Sequence, residues 1–175
     1  MASVEAWIVY SRNVLPDVDG KNMCAVLNRS TSYILKVWRA GFSLANQYAA
    51  AGNECTTELR KYVGASLVDY SGIVPISYDM YNQAPAEVIY GYAGTVGGTY
   101  GTLRRVSRSC RRPDLQNYSW THLDMIVSLC TIFDAGYEDD EVQPLTLGFE
   151  EMACLWNANT ITGLRTDFWM EFTKE

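Results

Sequence analysis

The segment from Lys21 to about Ala51 carries the most sustained apolar periodicity in the chain. Its apolar residues recur about every 3.6 positions, which is the spacing of one helix face. They are Met23, Val26, Leu27, Ile34, Val37, Trp38, Ala45 and Tyr48. Gly52-Asn53 follows as a C-terminal stop. The segment therefore predicts one long helix, or two helices that meet near Ser30, with Trp38 in the core.

Shorter segments on both sides show similar spacing. They predict helices over about 4–15, 56–70, 102–112, 119–135, 146–157 and 160–172. Residues 71–85 indicate a loop or a short extended segment, and Gly91 to Gly101 is compatible with either loop or helix. No strand-like alternation persists for more than a few residues. The sequence therefore predicts an all-α fold, a single domain over residues 1–175 built as a bundle of about five to seven helices with a Gly/Tyr-rich central loop region.

Composition excludes several classes of protein. A chain of 175 residues with 48% apolar residues and 5 prolines is typical of one globular domain. It contains no run of about 18 to 20 consecutive apolar residues, so we expect no membrane partner. The first residues lack the basic region and long apolar stretch of a signal peptide, so we expect no secretion.

The five cysteines are odd in number and widely spaced, with no C-x-x-C pair. They are Cys24, Cys55, Cys110, Cys130 and Cys154. This pattern does not fit a disulfide framework and is typical of a reducing compartment. We therefore expect a location in the host cytoplasm or a virion.

Candidate catalytic groups are sparse. His122 is the only histidine, and it lies in the first turn of a predicted helix, on the side away from the apolar face. One histidine and scattered cysteines offer no nitrogen and sulfur ligand set for a metal. Glu150 and Glu151 are adjacent, so on a helix they point about 100° apart and cannot share a substrate atom. We therefore predict no enzyme activity, no metal and no cofactor.

Five arginines lie within nine residues, namely Arg104, Arg105, Arg108, Arg111 and Arg112. The rest of the chain carries 9 basic and 20 acidic residues, a balance of −11. Arginine is rarely buried unless it is paired, so this stretch is expected on the surface, facing an anion. On a helix, Arg104, Arg108 and Arg111 would share one face, and Arg105 and Arg112 another.

Tyrosines precede these arginines, with Tyr100 the nearest of them. Guanidinium groups bind phosphate through a planar fork, and exposed aromatic rings stack on unpaired bases. The pattern therefore favours nucleic acid, single-stranded RNA above all. Two alternatives remain open at this point, namely pairing with an acidic protein surface and pairing with the chain's own carboxylates.

Acidic residues concentrate towards the C-terminus. Residues 134–175 hold ten acidic side chains against Arg165 and Lys174, and four of the ten are consecutive: Glu138, Asp139, Asp140 and Glu141. One basic stretch and one acidic region on identical subunits can form head-to-tail contacts, which close into rings or continue as filaments. We therefore expect the acidic turn to be a subunit contact in a homo-oligomer or filament.

Together these patterns predict a self-assembling structural protein that binds nucleic acid through its arginines, as a viral coat or nucleocapsid-type subunit does. The alternative is a non-enzymatic helical adaptor or inhibitor whose acidic surface docks a basic protein. The two hypotheses are distinguished by whether the purified protein carries nucleic acid.

All five thiols should be free in the native protein. Titration under denaturing, non-reducing conditions should therefore count five thiols, whereas a count of three or one would reveal a disulfide bridge.

Overall fold

The computed structural model describes residues 5–14, 22–44, 54–79, 82–109, 129–135, 143–159 and 165–175. These residues form twelve β-strands, and no helix occurs among them. The predicted all-α helical bundle is therefore wrong. Every segment predicted as a helix contains strand residues where the structure describes it.

The twelve strands are numbered in chain order, and several of them are joined by short connections. They are β1 (Ala6–Val14), β2 (Asn22–Asn28), β3 (Leu35–Leu44), β4 (Glu54–Val68), β5 (Ser71–Gly72), β6 (Ile76–Ser77), β7 (Val88–Tyr92), β8 (Thr95–Ser109), β9 (Leu129–Asp134), β10 (Leu145–Leu147), β11 (Glu151–Asn157) and β12 (Thr166–Lys174). The segment 71–85, expected to be a loop or short extended piece, holds only the two-residue strands β5 and β6 where the structure describes it.

The strands pair into two antiparallel sheets of six strands each. Sheet A has the order β10-β3-β12-β1-β6, and β9 also pairs with β3. Because β12 pairs with β3 over its whole length, β9 and β10 lie end to end along the opposite side of β3. Sheet B has the order β5-β7-β2-β11-β4-β8.

The apolar faces of the two sheets pack against each other as a β-sandwich. Buried residues of both sheets form one cluster, with Trp7 and Phe42 from sheet A and Leu59 from sheet B among its members. Phe172 of β12 joins the sheets directly. Its ring centroid lies 5.7 Å from that of Trp7 and 5.7 Å from that of Tyr90 in β7.

A smaller apolar cluster covers the other face of sheet B. It consists of Ala25, Leu27, Tyr62, Ala65, Leu67, Met152 and Cys154. The end of the β4–β8 ribbon supplies Ala65 and Leu67, and a bulge at Gly64, whose φ is +60°, redirects β4 there. The chain that follows β4 approaches β7 so closely that a Cβ on Gly91 would clash with the ring of Tyr70.

These two clusters explain why the sequence pattern misleads. Strand β2 is covered on both faces, and all seven of its residues are buried, so its sequence does not alternate. In β3 a bulge makes Trp38 an extra residue between Val37 and Arg39, so buried Val37 and Ala40 are spaced like helix residues. Trp38 itself is half-buried, and its expected place in the core is wrong.

The described cysteines agree with the sequence. Cys24, Cys130 and Cys154 are buried and form no disulfide, which confirms the expectation for these three. Burial raises the pKa of the Cys24 thiol to about 12, against the opposing effect of its hydrogen bonds with Ser11. Cys24 is therefore a protonated core side chain at neutral pH.

Two kinds of feature are absent from the described residues. They contain no group of three or more His, Cys, Asp or Glu residues that could hold a metal ion. They also contain no helix long and apolar enough to cross a membrane.

Trp7→Ala should lower the free energy of unfolding by about 3–5 kcal/mol, because it empties the fully buried space beside Phe172. Val74→Ala is the control, since Val74 is 82% exposed and should change stability by less than about 0.5 kcal/mol. Urea denaturation followed by circular dichroism measures both. Equal stabilities of the two variants would contradict the placement of Trp7 in the core.

Candidate functional site

Strand β8 forms an edge of sheet B. It pairs with β4 from Thr95 to Ser109, and no strand among the described residues pairs with its other side. An edge of this length presents a row of unpaired backbone N–H and C=O groups. No acidic residue occurs from Val88 to Arg112, so this edge is basic.

The structure places part of the arginine stretch on this edge. Tyr100, Arg104 and Arg105 are exposed residues of β8, and Arg108 lies further along the strand, opposite Cys55. Arg111 and Arg112 lie outside the described residues. So do His122 and the predicted subunit contact at Glu138, Asp139, Asp140 and Glu141.

The predicted helical grouping of these arginines is wrong. Successive side chains of a strand point to opposite faces, so Arg104 and Arg105 flank the edge from its two sides. The register confirms this arrangement, because Arg104 lies opposite the buried Leu59 whereas Arg105 lies opposite Glu58.

Glu58 connects the arginines of β4 and β8. Its Oε1 lies 2.9 Å from Nη2 of Arg105, and its Oε2 accepts from Nε and Nη2 of Arg60 at 2.7 and 2.6 Å. The Thr102 hydroxyl donates to the same Oε2 over 3.4 Å. The side chain of Glu58 is only 7% exposed, so this carboxylate is held by charged donors instead of water.

A bulge in β8 brings these groups together. Leu103 is the extra residue, since Arg104 pairs with Leu59 and Thr102 pairs with Arg60. Without the bulge, Thr102 and Arg105 would point to opposite faces of the sheet. With it, both reach Glu58.

Arg60 is stacked between two aromatic rings. Its Cζ lies 4.4 Å from the ring centroid of Tyr100 and 4.5 Å from that of Trp156. Burial alone would lower the pKa of the Arg60 guanidinium, but its hydrogen bonds to Tyr62 and Glu58 raise the pKa above its usual value. The stack therefore fixes a permanent positive charge beneath Tyr100.

The resulting cluster is basic despite its internal pairing. Two guanidinium groups, on Arg60 and Arg105, pair with one carboxylate, on Glu58, and Arg104 lies on the opposite face of the same edge. Arg104 forms no ion pair with any residue in the part of the chain that the structure describes. The cluster therefore keeps a net positive charge on the surface, and the side chain of Arg105 is 62% exposed.

Sequence reasoning missed Glu58, Arg60 and Trp156. They lie 35 to 47 positions from the nearer end of β8, and only the pairing of β4 with β8 and β11 brings them there. The alternation Glu58-x-Arg60-x-Tyr62, which puts three polar or aromatic side chains on one face of a strand, was the available signal.

Glu58→Gln should lower the free energy of unfolding by about 2 kcal/mol, because two guanidinium groups lose their charged acceptor. Glu150→Gln is the matched control. Its carboxylate lies 3.9 Å from Arg29 on the surface, and exposed ion pairs of this kind contribute little. Chemical denaturation compares the two variants, and equal losses would show that Glu58 does not hold the cluster together.

Comparison with known proteins gives no family for this chain: no protein-family model matches it, and no curated protein or solved structure matches it. The expected coat or nucleocapsid-type role, the partners and the location therefore stay predictions. The alternative loses its helical form, because the described chain is all-β.

Proposed function

We propose that this protein binds single-stranded nucleic acid along the exposed edge of β8, as a binding protein without catalytic activity. The observation that supports this most directly is the joint exposure of Tyr100, Arg104 and Arg105 on one edge strand without acidic residues. The proposal takes the arginine stretch as a phosphate-binding surface and Tyr100 as a stacking platform.

The alternation of the strand suits an extended anionic chain. Arg104 and Arg105 flank the edge from opposite faces, so a phosphate backbone lying along β8 can receive guanidinium groups from both sides. Guanidinium groups bind phosphate bidentately, and their charge does not depend on pH in the physiological range. Phosphate contacts of this kind carry no sequence preference.

Tyr100 adds a surface on which a base can stack. Its ring packs on Arg60 and Tyr62, and the side chain is still 51% exposed. Aromatic rings beside cationic grooves are the usual combination in proteins that bind single strands. Because Arg60 is held by Glu58, the ring is positioned before the ligand arrives.

The charge of the edge also limits its other uses. Two copies of β8 brought together would place arginine against arginine, which disfavours pairing of this edge with itself. The chain as a whole has a net charge of −6, so it cannot coat nucleic acid by bulk charge. Binding is therefore confined to this edge.

Replacement of Arg104, Arg105 or Arg108 by Gln should weaken the binding of labelled oligouridylate and oligothymidylate to a similar degree. Each replacement should also reduce the slope of log affinity against log salt by about 0.7, the single-strand value for one phosphate contact. The lysine variants should fall between Gln and the native residue, because they keep the charge and lose the planar fork. Fluorescence anisotropy over a salt series measures both quantities.

Arg12→Gln is the matched control, since Arg12 is an exposed arginine of β1 in the other sheet. Native affinity and salt slope in all three β8 variants would overturn the proposal. Another outcome would favour contact between copies of the chain over nucleic-acid binding. If the variants lose self-association in protein free of nucleic acid, the arginines bind the acidic residues Glu138 to Glu141 of a neighbouring copy.

A further inference from the structure

An open groove of about 430 Å3 crosses the outer face of sheet A, away from β8. Its lining includes Trp38, Arg39, Tyr78, Asp134, Glu171 and Thr173. These residues come from β3, β9 and β12, and from the position that follows β6. Because β9 and β6 lie on opposite sides of β3, β12 and β1, the lining residues come from strands across the width of sheet A.

The lining side chains are held in place by one another. Nε of Arg39 donates to Oε2 of Glu171 at 2.7 Å, and Tyr78 also hydrogen-bonds to Glu171. Nε1 of Trp38 donates to Oγ1 of Thr173 at 2.9 Å, which fixes the indole while leaving it partly exposed. The groove is therefore formed before any ligand binds, as binding sites for small molecules usually are.

A β-bulge in β3 places two consecutive side chains in the groove. Trp38 is the extra residue of β3, and Arg39 follows it. Consecutive residues of a regular strand would face opposite sides of the sheet, whereas here both line the groove. Bulges that re-aim side chains in this way are frequent beside binding sites.

We propose that this groove binds a neutral saccharide chain. The exposed rings of Trp38 and Tyr78 offer flat apolar surfaces for the C–H faces of sugar rings. Arg39 offers several N–H donors, and the carboxylates of Glu171 and Asp134 offer acceptors for hydroxyl groups. A saccharide presents both apolar ring faces and hydroxyl groups, and this lining complements both.

Other ligand classes fit the groove less well. Two carboxylates and one guanidinium give its lining a net negative charge, which disfavours a phosphate backbone. A peptide strand would find few free backbone partners in the groove, because β3 and β12 are paired on both sides and Trp7 and Ile8 of β1 pair with β6, and peptides add to sheets at edges.

Calorimetric titration of the whole chain with a panel of neutral oligosaccharides tests the proposal. The panel holds β-1,4-, β-1,3- and α-1,4-linked hexasaccharides of glucose, together with xylan and mannan hexasaccharides. At least one should bind, and Tyr78→Ala should weaken that binding about tenfold, since Tyr78 is 59% exposed and supplies one ring of the site. Glu171→Gln should also weaken it, while Tyr78→Phe should have a smaller effect.

Tyr100→Ala is the control, because Tyr100 has similar exposure and lies on β8 in the other sheet. It should leave saccharide affinity unchanged, and Tyr78→Ala should leave oligouridylate affinity unchanged, so failure of one site does not decide the other. Circular dichroism establishes that each variant is folded. The absence of binding to every saccharide in the panel would overturn the proposal, as would native affinity in folded Tyr78→Ala and Glu171→Gln.

Discussion

The packing of Phe172 between Trp7 and Tyr90 holds the two sheets together. Trp7 and Phe172 belong to neighbouring strands of sheet A, and Tyr90 reaches them from β7 of sheet B. Each of these rings can bury a large apolar area, so a few contacts account for much of the stability that a sandwich of this size needs. This contact therefore joins the two sheets, one of which carries the β8 edge and the other the groove.

Both candidate sites lie where a strand departs from regular pairing. Leu103 is the extra residue that turns Thr102 and Arg105 towards Glu58, and Trp38 is the extra residue beside Arg39 in the groove. In a regular strand alternate side chains point into the core, and the side chains of the outer face are evenly spaced. A bulge brings two polar or aromatic side chains to one place without disturbing the packed face on the other side.

The sequence predicted the surface position of Arg104 and Arg105 but not the fold, and the reason is physical. A spacing of four residues is even, so Phe168 and Phe172 share a face in a strand as well as in a helix. Met170 between them, buried in the same core, was the residue that distinguished the two. Elsewhere the alternation of apolar and polar residues is lost, because bulges interrupt it and because β2 is buried on both faces. The residues that contact these arginines come from strands distant in the sequence, and no local sequence pattern shows which strands pair.

The place of β12 has a consequence for how the chain folds during synthesis. β12 lies between β3 and β1, so sheet A cannot close until residues 166–174 have left the ribosome. Until then β1 and β3 each lack a hydrogen-bonded neighbour on one side, although both are synthesised well before β12. Such edges pair readily with those of other unfinished chains. Association between nascent chains is therefore a hazard that this strand order creates, and insertion of the last strand ends it.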